Sequence, residues 1–235
     1  MQHVLVIRAL LIDAMGTLVA LEPAVEPLRA ELRARFGGTV SAMEAEAALA
    51  AEIAYYRANM GRGRDAASLA VLRRDCARAL REALPPPLSV VDEAELTEGL
   101  LAALRFQAFP DAARALAAVR AAGVERVVVV SNWDASLAEV LERAGLGSCV
   151  DAVVTSAETG AAKPAPKIFA VALAAAGIAA AQAIHVGDSL TEDVAGARAA
   201  GVPAVLLDRD GTGGPEGVEV ITGLGQLGAV LRTHG

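Results

Sequence analysis

Glu125–Gly145, ERVVVVSNWDASLAEVLERAG, is the stretch whose reading decides the fold. It opens with Glu125 to Ser131, a continuous β-branched run rather than an alternation of apolar and polar residues. Such a run predicts a strand covered on both faces, and hence a parallel sheet. Asp134 then supplies an N-cap, residues 135–144 carry helical spacing, and Gly145 supplies the stop. A buried strand, a polar turn and a glycine-terminated helix together make half of a strand–helix–strand unit.

The same unit repeats on either side. Strand-like runs occupy Arg8–Asp13 (RALLID), Asp151–Thr155 (DAVVT), Ala183–Asp188 (AIHVGD) and Pro203–Asp208 (PAVLLD), with a weaker one at Val218–Thr222. Helical spacing fills 110–122, 166–176 and 192–200, which stop at Gly123, Gly177 and Gly201. The rhythm breaks between 20 and 103, where every segment reads as helix: 22–36, 41–59, 66–84 and 91–105. The spacing therefore predicts an α/β, doubly wound, Rossmann-like parallel sheet interrupted after its first strand. The expected parts are core residues 1–19, a helical insertion at 20–103, and the remaining core at 104–235.

Composition narrows the function. With 54% hydrophobic and 21% charged residues the chain can bury a full core, built from Ala, Val, Leu and Ile because aromatics make up only 3%. The net charge of −7 and the interleaving of Arg73, Arg74, Arg78 and Arg81 with Asp75 and Glu82 exclude a basic nucleic-acid face. Cys76 and Cys149 lie far apart without CxxC spacing, so neither a cysteine zinc site nor a disulfide framework is expected. No stretch reaches the roughly 18 apolar residues of a membrane span. The N-terminal apolar run, broken by Arg8, reads as a strand rather than a signal peptide. A cytoplasmic monomer or homodimer is expected.

In an open parallel sheet, ligands bind beyond the carboxyl ends of the strands. Those ends hold Asp13-Ala14-Met15-Gly16-Thr17, Ser131-Asn132, Lys163, and Gly187-Asp188 followed by Asp193. Carboxylates, a hydroxyl and an ammonium converging on one spot suit a phosphoryl group beside a divalent cation. Lys163 carries extra weight, since it and Lys167 are the only lysines in a chain whose other basic residues are all Arg.

The motifs LLIDAMGTL, VVVVSNWD, AAKPAPKIF and HVGDSLTED resemble, in order, the four motifs of the haloacid dehalogenase superfamily. Those are a strand ending in DxDGT, a strand ending in Ser or Thr, a Lys in a KPxPxxF context, and a strand ending in GDxxxxD. The resemblance implies a hydrolase with Asp13 as nucleophile and Mg²⁺ held by Asp13, Asp188 and the backbone carbonyl of Met15. It further implies that Thr17, Ser131, Asn132 and Lys163 contact phosphate, and that the helical insertion is a cap. Asp193 would either orient the site from behind or favour the following helix N-terminus. His185 reads as a packed core histidine, Trp133 as packing beneath the cap, and Tyr55, Tyr56, Arg57 and Arg62–Arg64 as a solvated cap turn.

Met15 departs from this pattern. The family's phosphatases carry there a second Asp, which protonates the leaving group; a thioether transfers no proton. Ala165, where the family often has Asp, touches only loop and helix capping. The expected function is a phosphatase acting on a small phosphorylated metabolite through an aspartyl-phosphate. Two alternatives stand beside it: a carbon–halogen hydrolase, whose family motif DAYGTL is close to DAMGTL, and a non-catalytic relative that kept the pocket.

Overall fold

The computed structural model describes residues 6–234, so the apolar N-terminal run before Val6 lies outside the described residues. The chain divides into two compact units. One comprises the chain up to Ala20 and again from Ala108, and the other comprises Leu21–Gln107.

The first unit is built on six parallel strands: β1 (Ala9–Ile12), β4 (Arg126–Ser131), β5 (Ala152–Thr155), β6 (Ala183–Gly187), β7 (Ala204–Leu207) and β8 (Glu219–Ile221). Their order is β5-β4-β1-β6-β7-β8, that of a doubly wound sheet. β1 is central, pairing Ile12 with Val129 on one side and with Val186 on the other. All four β1 residues are buried, so truncating Leu11 or Ile12 to Ala would cost about 2–5 kcal/mol. Two further strands of three residues, β2 (Val19–Leu21) and β3 (Phe106–Ala108), pair with each other where the chain leaves for and returns from the second unit.

The second unit packs α1 (Val25–Phe36), α2 (Ala42–Asn59), α3 (Ala66–Ala83) and α4 (Glu93–Ala103) around Leu28, Leu32, Leu72, Leu80, Leu96 and Leu100. Reciprocal caps open two of these helices, Ser41 with Glu44 on α2 and Asp65 with Ser68 on α3. The turn expected to be solvated is only partly so. Tyr55 and Tyr56 pack against the helical core, and Arg62 donates to the Tyr55 hydroxyl at 3.0 Å and pairs with Asp75 at 2.8 Å. Arg57 and Arg64 are exposed.

The sheet is flanked by α5 (Ala112–Ala121), α6 (Leu137–Arg143), α7 (Ser156–Thr159), α8 (Pro166–Ala176), α9 (Gly196–Ala199) and α10 (Leu227–His234). On one face Phe169 and Ile168 of α8 close over Ala9, Leu11, Val128 and Val130. One capping expectation shifts. Asp134 does not cap α6: its carboxylate accepts from the amide and hydroxyl of Ser136, and the helix begins two residues later than read. At the start of α5 the Asp111 carboxylate makes no cap and is taken by Arg209 and by the Leu224 amide. Among the described residues no helix is long and apolar enough to cross a membrane.

Candidate active site

Strand order sets where the site forms. From β1 the chain builds outward through β4 to β5, then crosses back to β6 on the other side of β1. The carboxyl ends of these three central strands therefore flank the switch point where such sheets bind ligands. Asp13, Ser131 and Asp188 follow β1, close β4 and follow β6, respectively.

Asp13 is buried, and two donors meet on one of its oxygens. The Ser131 hydroxyl lies 2.9 Å from Oδ1 and Lys163 Nζ lies 2.5 Å from it. Lys163 does not point into solvent: its side chain is 1% exposed, and Nζ also donates to Asp193 Oδ1 at 2.6 Å. The backbone of Lys163 is clamped as well. Asn132 accepts from its amide at 2.7 Å and donates to its carbonyl at 3.0 Å, and the same Nδ2 reaches Glu192 at 3.0 Å. The Asn132 side chain thus spends its polar atoms on the lysine loop rather than turning them outward.

Asp193 is saturated from behind. Oδ1 meets Lys163 and, at 2.8 Å, His185 Nε2, while Oδ2 accepts from the Ser189 amide at 3.0 Å. His185 is fully buried, as a core histidine would be, with Phe169 edge-on to its ring at 5.1 Å, yet it is also joined to the site's ion-pair chain. With a carboxylate at Nε2 that nitrogen carries the proton, and Nδ1 is left without a partner among the described residues. The six residues Leu190–Ala195 form a wide π-type turn, capped by Ser189 accepting from the Glu192 amide. From that turn Glu192 reaches Asn132 and Asp193 reaches Lys163.

The two motif glycines are fixed by contact. Gly16 has φ +77°, and a Cβ there would lie 2.1 Å from Asp188 Oδ2. At Gly187 the space a Cβ would take is filled by the Asp193 carboxylate. Thr17 is fully buried and its hydroxyl has no partner among the described residues. Met15, two residues after Asp13, is 38% exposed. Trp133 is buried within the sheet unit, its amide donating to Ser156 Oγ and its indole to Ser136 Oγ. Ala165 opens α8 without a side-chain cap, with Pro166 in the first turn.

One oxygen from each of Asp13, Asp188 and Asp193 lies within 4.8 Å of the others. Among the described residues Lys163 is the one ammonium paired into this cluster, so three carboxylates outnumber their cation. The titration of each group follows. Burial pushes the Asp13 carboxyl up, and Asp193 adds to this against the pull of Lys163. Asp188 lies at the surface, yet partial desolvation of its carboxyl, then Asp13 and Asp193, push it up to about 6. Burial alone would lower Lys163, but Asp13 and Asp193 together hold its ammonium above the usual range. Burial would likewise raise Asp193, yet His185 and Lys163 hold it well below the usual carboxylate range.

A divalent cation fits this surplus of negative charge. Hard oxygen donors suit Mg²⁺, whose bonds of about 2.1 Å span at most about 4.2 Å between two ligand atoms on one ion, so oxygens held within 4.8 Å need only a small approach to share one. Asp193 has both oxygens engaged, whereas Asp188 has no cationic partner within salt-bridge reach among the described residues. Asp13 and Asp188 are therefore the pair free to hold such an ion.

Residues 7–201 match the family model of the haloacid dehalogenase-like hydrolases. The chain belongs to this family. Similar to this haloacid dehalogenase-like hydrolase is the phosphoserine phosphatase of Thermus thermophilus, 37% identical over 56% of this chain and 54% of its own length. A ribulose-1,5-bisphosphate 5-phosphatase of Halopiger xanaduensis is 40% identical over 42% of this chain and 41% of its own. The chain thus spans about half the length of these curated relatives. Among solved structures, a phosphatase of the family from Thermococcus onnurineus aligns at TM-score 0.63 with 26% identity, covering 95% of this chain and 97% of that one. A 2-haloacid dehalogenase from Pseudomonas syringae aligns at TM-score 0.69 with 24% identity over 97% and 100%, a likeness of fold.

Proposed function

We propose that this hydrolase is a Mg²⁺-dependent phosphatase of small phosphorylated metabolites, acting through an aspartyl-phosphate on Asp13. The observation that carries the reading is the clustering of the Asp13 and Asp188 carboxylates beside a buried Lys163 that donates to the nucleophile. The inserted helical unit, Leu21–Gln107, is in this reading the cap that selects the substrate.

Asp13 attacks phosphorus, the bond to the leaving oxygen breaks, and an acyl phosphate forms on Asp13. Water then adds at phosphorus, freeing inorganic phosphate and the Asp13 carboxylate. Lys163 and Ser131, held on Asp13 Oδ1, orient the nucleophile and lie next to the phosphoryl oxygens that gather charge. Asn132 fixes the lysine through its backbone, and Asp193 with His185 fixes it through its ammonium. A bound Mg²⁺, held by Asp13, Asp188 and the Met15 carbonyl, would neutralise phosphoryl charge and let two anions approach. Met15 cannot protonate the departing oxygen, and losing a positioned acid typically costs about 10²- to 10⁴-fold. Acyl and phenolic phosphates, whose leaving groups need no proton, suffer least.

The phosphoserine phosphatase and the ribulose-1,5-bisphosphate 5-phosphatase that the chain resembles are both phosphatases, which favours this reading over carbon–halogen cleavage. The test is hydrolysis of acetyl phosphate and p-nitrophenyl phosphate with Mg²⁺ and with EDTA, alongside 2-haloacids. Turnover that needs Mg²⁺ and disappears in Asp13→Asn is expected. Halide release indifferent to EDTA would replace this reading with the dehalogenase one.

A further inference from the structure

Arg209 stands in the loop after β7, almost two hundred residues from the loop it holds. Its guanidinium donates from Nε to the Gly16 carbonyl at 3.3 Å and from Nη2 to the Thr17 carbonyl at 2.8 Å. The other edge of the same plane pairs with both oxygens of Asp111, at 3.1 and 3.3 Å. Its flat face lies 3.8 Å from the centre of the Phe109 ring. Four of the five donor hydrogens of the fork are thereby directed at oxygens, and the side chain is only 21% exposed.

The partners are held in turn. Asp111 Oδ2 also accepts from the Leu224 amide at 2.9 Å, so the carboxylate is fixed before it meets the arginine. On the other side the loop is a tight knot, in which Ala14 O accepts from the Leu18 and Val19 amides and Gly16 donates to Val19 O. In that knot Gly16 rests against the Asp188 carboxylate, close enough that a Cβ would collide with it. Carbonyls that point at Arg209 cannot turn elsewhere, so the guanidinium sets the peptide planes of the segment that follows the nucleophile.

We infer that Arg209 is a positioning residue for the cation site, clamping Gly16 and Thr17 so that the Asp13–Thr17 loop keeps its place against Asp188. The inference rests on the reading of Asp13 and Asp188 as that site, although Arg209 itself touches neither substrate nor cation. The planar fork is what the geometry uses: a lysine offers one point charge and cannot meet two successive carbonyls, a carboxylate and a ring face together.

The test measures Mg²⁺ affinity by calorimetry and the exchange rates of the Gly16, Leu18 and Val19 amides in wild type, Arg209→Gln and Arg209→Lys. Groups that orient a metal ligand from outside the coordination sphere commonly govern 10- to 100-fold in affinity. Arg209→Gln is expected to bind Mg²⁺ at least about tenfold more weakly, with the three loop amides exchanging faster and β6 unchanged, and Arg209→Lys should fail to restore either. Wild-type affinity and wild-type loop exchange in Arg209→Gln would overturn the inference, as would full rescue by lysine. Should Arg209→Gln not fold, Arg209→Lys alone decides by the same two readouts. If the wild-type protein binds no Mg²⁺, the cation reading fails by itself, and loop exchange in the variants still decides whether Arg209 is the clamp.

Discussion

The carboxylate of Asp193 lies so close to Gly187 that a Cβ on that glycine would stand 2.2 Å from Asp193 Cγ. The carboxylate cannot simply swing away, because Lys163, His185 and the Ser189 amide hold it. The glycine therefore exists to let one carboxylate reach the lysine that reaches the nucleophile.

Gly187→Ala should accordingly loosen Lys163 without touching it. Overpacking of this kind destabilises by about 1–3 kcal/mol, and displacing a group that orients a catalytic residue lowers turnover about 10- to 100-fold. Thermal unfolding and kcat on acetyl phosphate check both. Gly225→Ala, where an added Cβ meets nothing within 4 Å, should leave both near wild type. Equal effects in the two variants would show that the contact with Asp193 is irrelevant.

Met15→Asp should restore the missing acid. The position is 38% exposed, so the new carboxylate is not forced into the core. The gain is expected to depend on the leaving group: about 10²- to 10⁴-fold on alkyl phosphates, and far less on acetyl phosphate. The ratio of kcat/KM for the two substrate types, measured in both proteins, reads this out. A uniform gain, or none, would mean that leaving-group protonation is not what Met15 withholds.

Asp188 gives a pH dependence with a definite sign. In the metal-free protein its pKa is raised to about 6, against about 3.9 when unfolded. Its contribution to stability is thus fully present below about pH 4 and is lost as pH rises through 6. Mg²⁺ binds the ionised form, so the ion and the proton compete. Apparent Mg²⁺ affinity should fall towards tenfold per unit below pH 6 and level off above pH 7, and Asp188→Asn should flatten the profile while weakening binding throughout. Calorimetric titrations from pH 5 to 8 decide it; an affinity independent of pH over that range would remove Asp188 from the ligand set.

Five of the six sheet strands were legible because each is a largely apolar run, the feature a parallel sheet imposes, whereas the edge strand β8, with Glu219 and only Ile221 buried, gave a weaker signal. β2 and β3 were not, since three residues such as Phe106-Gln107-Ala108 carry no period to read. The helix after Asp188 was placed at 192–200, but its first turn is a wide one from Leu190, and nothing in LTEDVA announces that. α7 and α10 escaped notice for want of length or a stop signal. At the site, residues at strand ends were legible and the residues that hold them were not. Asn132 was expected to contact phosphate, and its side chain grips the Lys163 backbone; His185 looks like core and also binds Asp193. Arg209 is one arginine among many, and only tertiary structure brings it to Gly16.

Glu52 of α2 offers a prediction for the second unit. It is 4% exposed, faces Cys76 of α3, whose thiol hydrogen-bonds to it, and has no cationic partner among the described residues within salt-bridge distance. Burial raises its carboxyl pKa, and the thiol offsets this only in part. A raised pKa means that the stability contribution of Glu52 is present below its unfolded value of about 4.3 and is lost as pH climbs through the folded one. Glu52→Gln keeps the shape without the ionisation, so it should match wild type near pH 4 and become the more stable protein by about 1 kcal/mol near pH 8, the scale on which a buried, unpaired charge is felt. Cys76→Ala, which removes the donor, should steepen the wild-type loss. Urea unfolding at pH 4.5, 6 and 8 measures the divergence; parallel stability curves for Glu52→Gln and wild type would mean that Glu52 reaches water on a path the packing of α2 against α3 conceals.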